Sequence, residues 1–254
     1  MPKIKDIYEY LTVLAPLELQ YEYDNSGFLF GRGDTEVSCV LLALDVTDAV
    51  IEEAAELGAQ LIVSHHPLIW SAPKAVTDSS AYTARLLTLA EKGIGVISMH
   101  TNFDKAMGGV NDVLIRKFCS HIDAETIDGC GRIGQLDAPV ALSDFLPLCR
   151  EKLGAKGLRY FDAGRAVHRL GVLGGAGADC LREACNKGCD TYITADIKYH
   201  QFLEAAELKI NLIDADHFYT ENPAMHSLCS RLSFGFPEID ARLSKVHSCV
   251  IDFA

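Results

Sequence analysis

The chain has 254 residues, 49% apolar and 23% charged, which excludes a disordered class and leaves room for one large domain or two modest ones. Its net charge of −12 repels phosphate backbones and argues against general nucleic-acid binding. No apolar run reaches the ~18 residues of a membrane helix, and the start shows neither the apolar stretch nor the cleavage pattern of a secretion signal.

Apolar residues at helical spacing predict a helix over Ile4–Leu14, ahead of Pro16. Asp24-Asn25-Ser26-Gly27 is either a turn or a loop lining a site. Val37–Leu44 is a continuous apolar run, as expected of a strand buried on both faces. A helix over Asp48–Leu57 follows, then a buried strand at Leu61–Val63, a helix over Ala81–Lys92 and a strand at Ile94–Ser98. Strands and helices alternating at this spacing predict an α/β fold with mainly parallel sheets.

The pattern then repeats. Glu53–Val63 and Glu183–Ile193 share a helix end, a glycine, a short linker and a buried strand; Ala90–Ile97 and Ala206–Ile213 share a helix tail and a strand. Two similar α/β domains are expected: residues 1–125, completed by 216–254, and residues 126–215. The polar stretch Ile122–Arg132 suits the boundary, and Asp162–Arg165 reads as a hairpin or turn. Gly174-Gly175-Ala176-Gly177 resembles a phosphate-binding turn but lacks a Walker lysine, so a tight strand-to-helix connection is the simpler reading. The last elements expected are a helix from Pro223 to Leu232 and a strand from Val246 to Phe253.

Nine cysteines are scattered with no Cys-x-x-Cys pair. That argues against a disulfide framework or a zinc finger and for core thiols in a reducing cytoplasm.

Two features carry chemistry. Ser64-His65-His66-Pro67 directly follows a buried strand, and ligands of open parallel sheets gather at the carboxyl ends of strands. Adjacent histidines on an extended chain point apart, toward two ions or toward one ion and the core. The second feature is a matched pair, His100-Thr101-Asn102-Phe103-Asp104 and His217-Phe218-Tyr219-Thr220-Glu221, each past a strand end. A single histidine at a strand end is more often an ordinary hydrogen-bonding residue. The whole set, imidazoles with carboxylates and no thiolate, suits two divalent ions better than a closed structural zinc site.

Together Tyr23–Gly27, Ser64–Pro67, His100–Asp104, Ala195–His200 and Asp214–Glu221 resemble the GTP cyclohydrolase 1 type 2 homologues, also called the Nif-three-like family, in the compact form without an inserted domain. The resemblance implies two α/β domains with a dinuclear metal centre between them and a ring-shaped homohexamer. Carried over position by position, it implies His65, His66, Asp104, His217 and Glu221 as metal ligands, Glu221 as bridge, and His100 as a further ligand or a catalytic proton-transfer group. Two positions depart from the family pattern: Tyr23 where tryptophan is common, and Asp216 where glycine is usual before the last histidine.

Two functions compete. One is a metal-dependent hydrolase, GTP cyclohydrolase-like by resemblance, acting on a nucleotide or another phosphate-containing small molecule, with Lys198, Arg32 and Lys105 as candidate phosphate partners. The other is a non-catalytic metal-binding protein: a carrier, a metal-insertion factor or a regulatory adaptor. Either uses two divalent ions per chain, and the donor set permits Zn, Mn, Fe, Co or Ni. No membrane partner is expected.

Overall fold

The apolar runs of the first 107 residues become the middle of one sheet. The computed structural model describes residues 1–253 and divides into two units: Met1–Met107 with Met225–Ser248, and Gly108–Ala224 with the chain from Cys249 on. In the first unit, α1 (Ile4–Leu14) precedes β1 (Gly27–Phe30) and β2 (Cys39–Ala43). Then come α2 (Asp48–Glu56), β3 (Leu61–Ser64), α3 (Ala81–Lys92), β4 (Gly95–Ser98) and the short α4 (Thr101–Lys105). Every residue of β2, β3 and β4 is buried, because helices cover both faces. Val50, Ile51 and Ala54 of α2 and Leu86 and Leu89 of α3 pack with Leu41, Ile62 and Val96 into one core. Ile4, Ile7 and Leu11 of α1 are fully buried at the spacing the sequence announced.

The second unit holds α5 (Val110–Arg116), β5 (His121–Ile127), β6 (Gly131–Val140), α6 (Leu142–Leu153), β7 (Arg159–Phe161) and β8 (Val167–Val172). It continues through α7 (Leu181–Asn186), β9 (Thr191–Thr194), α8 (Tyr199–Leu208), β10 (Asn211–Asp214) and α9 (His217–Gly235). From Met225, inside α9, the chain belongs to the first unit again, which ends with β11 (Asp240–Leu243). Two apolar clusters lie in this unit, one built around Phe145, Leu170 and Ile213 and the other around Tyr192, Leu181 and Leu212.

The first sheet has the order β1-β4-β3-β2-β11, with β1 antiparallel and the other pairs parallel. The second has the order β5-β6-β8-β9-β10-β7, parallel only where β9 meets β8 and β10. Both sheets are therefore mixed, and the expectation of mainly parallel sheets fails in the second unit. The stretch Ile122–Arg132 is the reason. It forms the hairpin of β5 and β6, with Asp128, Gly129 and Cys130 between the paired Ile127 and Gly131, and the φ angles of 52° and 62° at Asp128 and Gly129 suit a tight turn.

Within the two sheets one pattern recurs. The series α1-β1-β2-α2-β3-α3-β4 and α6-β7-β8-α7-β9-α8-β10 have the same element order, the same strand order and an antiparallel edge strand, β1 or β7.

The end of the chain departs from expectation twice. The last helix starts at His217 and carries Pro223 inside it, because the Asp216 side chain accepts from the Phe218 backbone N at 3.0 Å and satisfies an early helical donor. Val246–Phe253 forms no strand. The returning strand is Asp240–Leu243, which pairs with β2 from Cys39 to Leu42. Asp162–Arg165 turns, but β7 and β8 on either side of it pair with other strands.

Candidate metal centre

In the first unit β3 ends at Ser64 and delivers His65 and His66 past the carboxyl end of the sheet. His65 is completely buried and His66 half-buried. The two rings do not diverge: their centroids lie 5.1 Å apart, with the His100 ring 5.2 and 5.7 Å from them. Pleated alternation stops where the strand stops, and the Ser64 hydroxyl donates to the His66 carbonyl at 2.8 Å, curling the chain. One ligand atom from each of His65, His66 and His100 lies within 4.8 Å of the others, a group that could hold a metal ion. Asp104, on α4 and buried, places Oδ1 3.6 Å from His65 Nε2.

Each imidazole is anchored by its far nitrogen. His65 Nδ1 bonds the Met99 carbonyl, His66 Nδ1 bonds Asp45 Oδ1 and His100 Nδ1 bonds Asp24 Oδ1, all at 2.7 Å. A carbonyl and an ionised carboxylate can only accept, so each Nδ1 carries a proton, and Nε2 is the atom by which each ring can serve as a ligand. Burial alone would raise the Asp24 carboxyl. Bonds from His100 and Thr101 outweigh it and hold Asp24 well below the usual carboxylate range. Asp45 is likewise opposed by burial yet held low, by His247 and His66.

In the second unit His217 opens α9 and Glu221 follows one turn later, with His217 Nε2 3.1 Å from Glu221 Oε1. His217 Nδ1 bonds Asp196 Oδ2 at 2.8 Å, the fourth imidazole held in this way. Burial pulls the His217 imidazolium down, but the carboxylates of Asp196 and Glu221 prevail and push it well above its ordinary value. The pair calls for positive charge at Nε2, which a proton or a metal ion supplies. A Cβ built on Gly175, at φ +68°, would stand 2.2 Å from Glu221 Oε1 and 3.2 Å from His217 Nε2. Only glycine leaves this space and adopts this backbone without strain.

The glycine turn holds no phosphate cradle. The amides of Gly174, Gly175 and Gly177 donate to Asn111 Oδ1, Thr220 Oγ1 and Thr194 Oγ1. The tight-connection reading holds, with the addition that Gly175 makes room for Glu221. His200 and Lys198 are exposed on and beside α8. Lys105 lies over the Tyr21 ring, and Arg32 lines a surface pocket with Phe30 and Leu89.

The two His-x-x-x-carboxylate motifs are one residue out of step. Ser64 pairs with Ser98, and Thr194 with Asp214. Counted from these paired ends, Asp196 matches His66, but His100 matches Asp216 rather than His217. Asp216 keeps the left-handed backbone expected of a glycine, at φ 68°.

The donor set fits divalent ions. All four imidazoles have Nδ1 fixed by a second group, the arrangement that orients histidine ligands, with Asp104 beside His65 in the first unit and Glu221 beside His217 in the second. A family model described as Duf34/NIF3 (NGG1p interacting factor 3) matches residues 2–251. The chain belongs to the DUF34/NIF3 family. Relatives in that family include a GTP cyclohydrolase 1 type 2 homolog of Clostridium perfringens, 33% identical over 88% of both chains, and one of Nostoc sp., 36% identical over 78% of both. A Helicobacter pylori protein named GTP cyclohydrolase 1 type 2 is 34% identical over 87% of this chain and 88% of its own. Among solved structures, a Staphylococcus aureus hypothetical protein superposes with a TM-score of 0.90 at 26% identity over the whole of both chains. A Bacillus cereus protein related to NIF3, at 22% identity and a TM-score of 0.89, shares the DUF34/NIF3 fold.

Sequence reasoning missed Asp45 and Gly175. Asp45 lies just past the end of β2, where the strand-end rule that selected His65 would have found it. Gly175 left no signal beyond its glycine-rich surroundings. Among the described residues no helix is long and apolar enough to cross a membrane.

Proposed function

We propose that the chain is a dinuclear metal-binding protein that works as a metal-dependent hydrolase on a nucleotide or other phosphate-containing small molecule. His65, His66, Asp104, His217 and Glu221 would hold the ions as ligands. The observation that supports this most is the common anchoring of four imidazoles through Nδ1, which orients four Nε2 atoms as ligand candidates. Relatives named GTP cyclohydrolase 1 type 2 support the nucleotide side of the reading. Bound divalent ions would polarise an oxygen substrate and activate water. The chain's own part is to hold the donors, and to move a proton at His100 Nε2 while Asp24 keeps Nδ1–H in place. Assembly into a homohexameric ring in the cytoplasm belongs to the same proposal.

The test is turnover of GTP and simple phosphate esters by metal-reconstituted protein, beside His100→Ala and Glu221→Ala. Turnover is expected in the wild type, with at least a hundredfold loss in His100→Ala at unchanged metal content, consistent with general acid–base contributions of about 10²–10⁴. Glu221→Ala should lose metal as well as turnover. A second reading, a non-catalytic carrier or insertion factor, is favoured by one observation: the glycine-turn amides are committed to protein acceptors and leave no phosphate cradle. Metal binding without turnover of any of these substrates would select it.

A further inference from the structure

Two large aromatic side chains stand in solvent beside His100. Tyr23 is 66% exposed and Trp70 is 54% exposed. Their ring centroids are 6.3 Å apart with the planes tilted by 46°, and the Trp70 and His100 rings meet edge-to-face with centroids 5.7 Å apart. Tyr21 stacks behind Tyr23 at 5.3 Å, nearly parallel, and the Lys105 ammonium lies 3.3 Å over the Tyr21 ring. The row runs Lys105, Tyr21, Tyr23, Trp70, His100.

The loops that carry these rings are tied down. Asn25 Nδ2 donates to the Ile69 carbonyl at 2.5 Å, linking the Tyr23 loop to the Trp70 loop. Tyr21 N donates to Thr101 Oγ1 at 3.1 Å, and Leu68 N to Ser98 Oγ at 3.3 Å. A ligand meeting the rings would pay little to order them.

We propose that Tyr23 and Trp70 form a stacking platform for a planar heteroaromatic ring, which they hold against His100. The assignment rests on the functional reading above only for what the ring is presented to; the platform itself is built wholly from the first unit. Aromatic faces favour stacked π-systems. The polar rim at His100 suits a ring whose edges carry hydrogen-bonding atoms and not a lipid chain. Lys105 already fills the cation position at the far end of the same row, over Tyr21, which disfavours a second cation as the guest. The ligand is thus held by its base, with its phosphate playing the smaller part.

Trp70 is the chain's single tryptophan, so its fluorescence reports the platform directly. The experiment titrates guanosine and ribose 5-phosphate into protein of measured metal content, as purified and after chelation, and repeats this with Tyr23→Ala and Tyr23→Phe. Saturable quenching by guanosine but not by ribose 5-phosphate is expected in both preparations. Tyr23→Ala should weaken guanosine binding about tenfold, in line with base-stacking contributions, and Tyr23→Phe should keep it. No saturable quenching by guanosine, equal quenching by ribose 5-phosphate, or unaltered binding in Tyr23→Ala would each overturn the proposal. So would a drop in oligomeric mass in Tyr23→Ala without an effect of guanosine, since the rings would then serve a contact between copies of the chain. Quenching in protein that binds no metal would keep the platform and remove the dinuclear reading; metal without quenching would do the reverse.

Discussion

At the scale of single residues, the site depends on atoms one step removed from the proposed ligands. Asp45 touches His66 Nδ1 at 2.7 Å and His247 Nε2 at 3.5 Å, so one carboxylate steadies two imidazoles. Groups that orient histidine ligands typically change metal affinity by about 10–100-fold when removed. Asp45→Ala is therefore expected to weaken metal binding by that factor, measured by competition with a chromophoric chelator, while leaving the circular dichroism unchanged. Unweakened binding would mean that His66 needs no fixed tautomer. The ligand candidates themselves were legible because His, Asp and Glu past buried strands have few structural reasons to be there. Their partners were not, because Asp24 and Asp45 become neighbours of His100 and His66 only after the sheet brings distant strand ends together. Two adjacent histidines were expected to point apart, which holds for an extended chain and fails where β3 ends at Ser64.

At the scale of elements, the helices and buried strands expected between Ile4 and Ser98 were readable to within a residue or two: α1 and α3 match their expected bounds. These segments bury a periodic or continuous apolar face, and burial dominates local preference. The hairpin of β5 and β6 was not read, since β5 has mostly exposed or half-buried residues and no clean alternation. Its Asp128-Gly129 turn was the available sign. Gly175 shows an element serving the site: the turn after β8 passes so close to Glu221 that a methyl group would displace the carboxylate. Gly175→Ala is expected to reduce metal content by at least half in elemental analysis, whereas full occupancy would show that Glu221 can move without loss. The second unit's core supplies a pH dependence. Burial pushes the thiols of Cys119, Cys149 and Cys189 up to about 12. An unfolded thiol titrates near ~8.5, so between that value and 12 the folded state binds more protons than the unfolded one and stability falls as pH rises. The thermal midpoint is expected to drop from pH 8.5 toward 11, less steeply in Cys149→Ala; an equal drop in that variant would exclude this thiol as a cause.

At the scale of the whole molecule, the sequence led to the expectation of a repeat, and the two sheets share a strand order and an antiparallel edge strand. What each sheet adds outside the shared pattern was not visible: β11 returns parallel to β2, while β6 lies antiparallel to β8. Such additions depend on long-range pairing, which local patterns do not encode. Among the described residues the cysteines are all free thiols, in keeping with a fold held by its apolar cores. The proposed function requires that the anchored donors bind metal. The most direct measurement is divalent metal content per chain, by elemental analysis of protein purified without a histidine tag, with Glu221→Ala and His65→Ala alongside. The account predicts about two ions per chain in the wild type, as for a two-metal centre, and clear loss in both variants. A wild-type chain that carries no metal and takes up none on titration would contradict it.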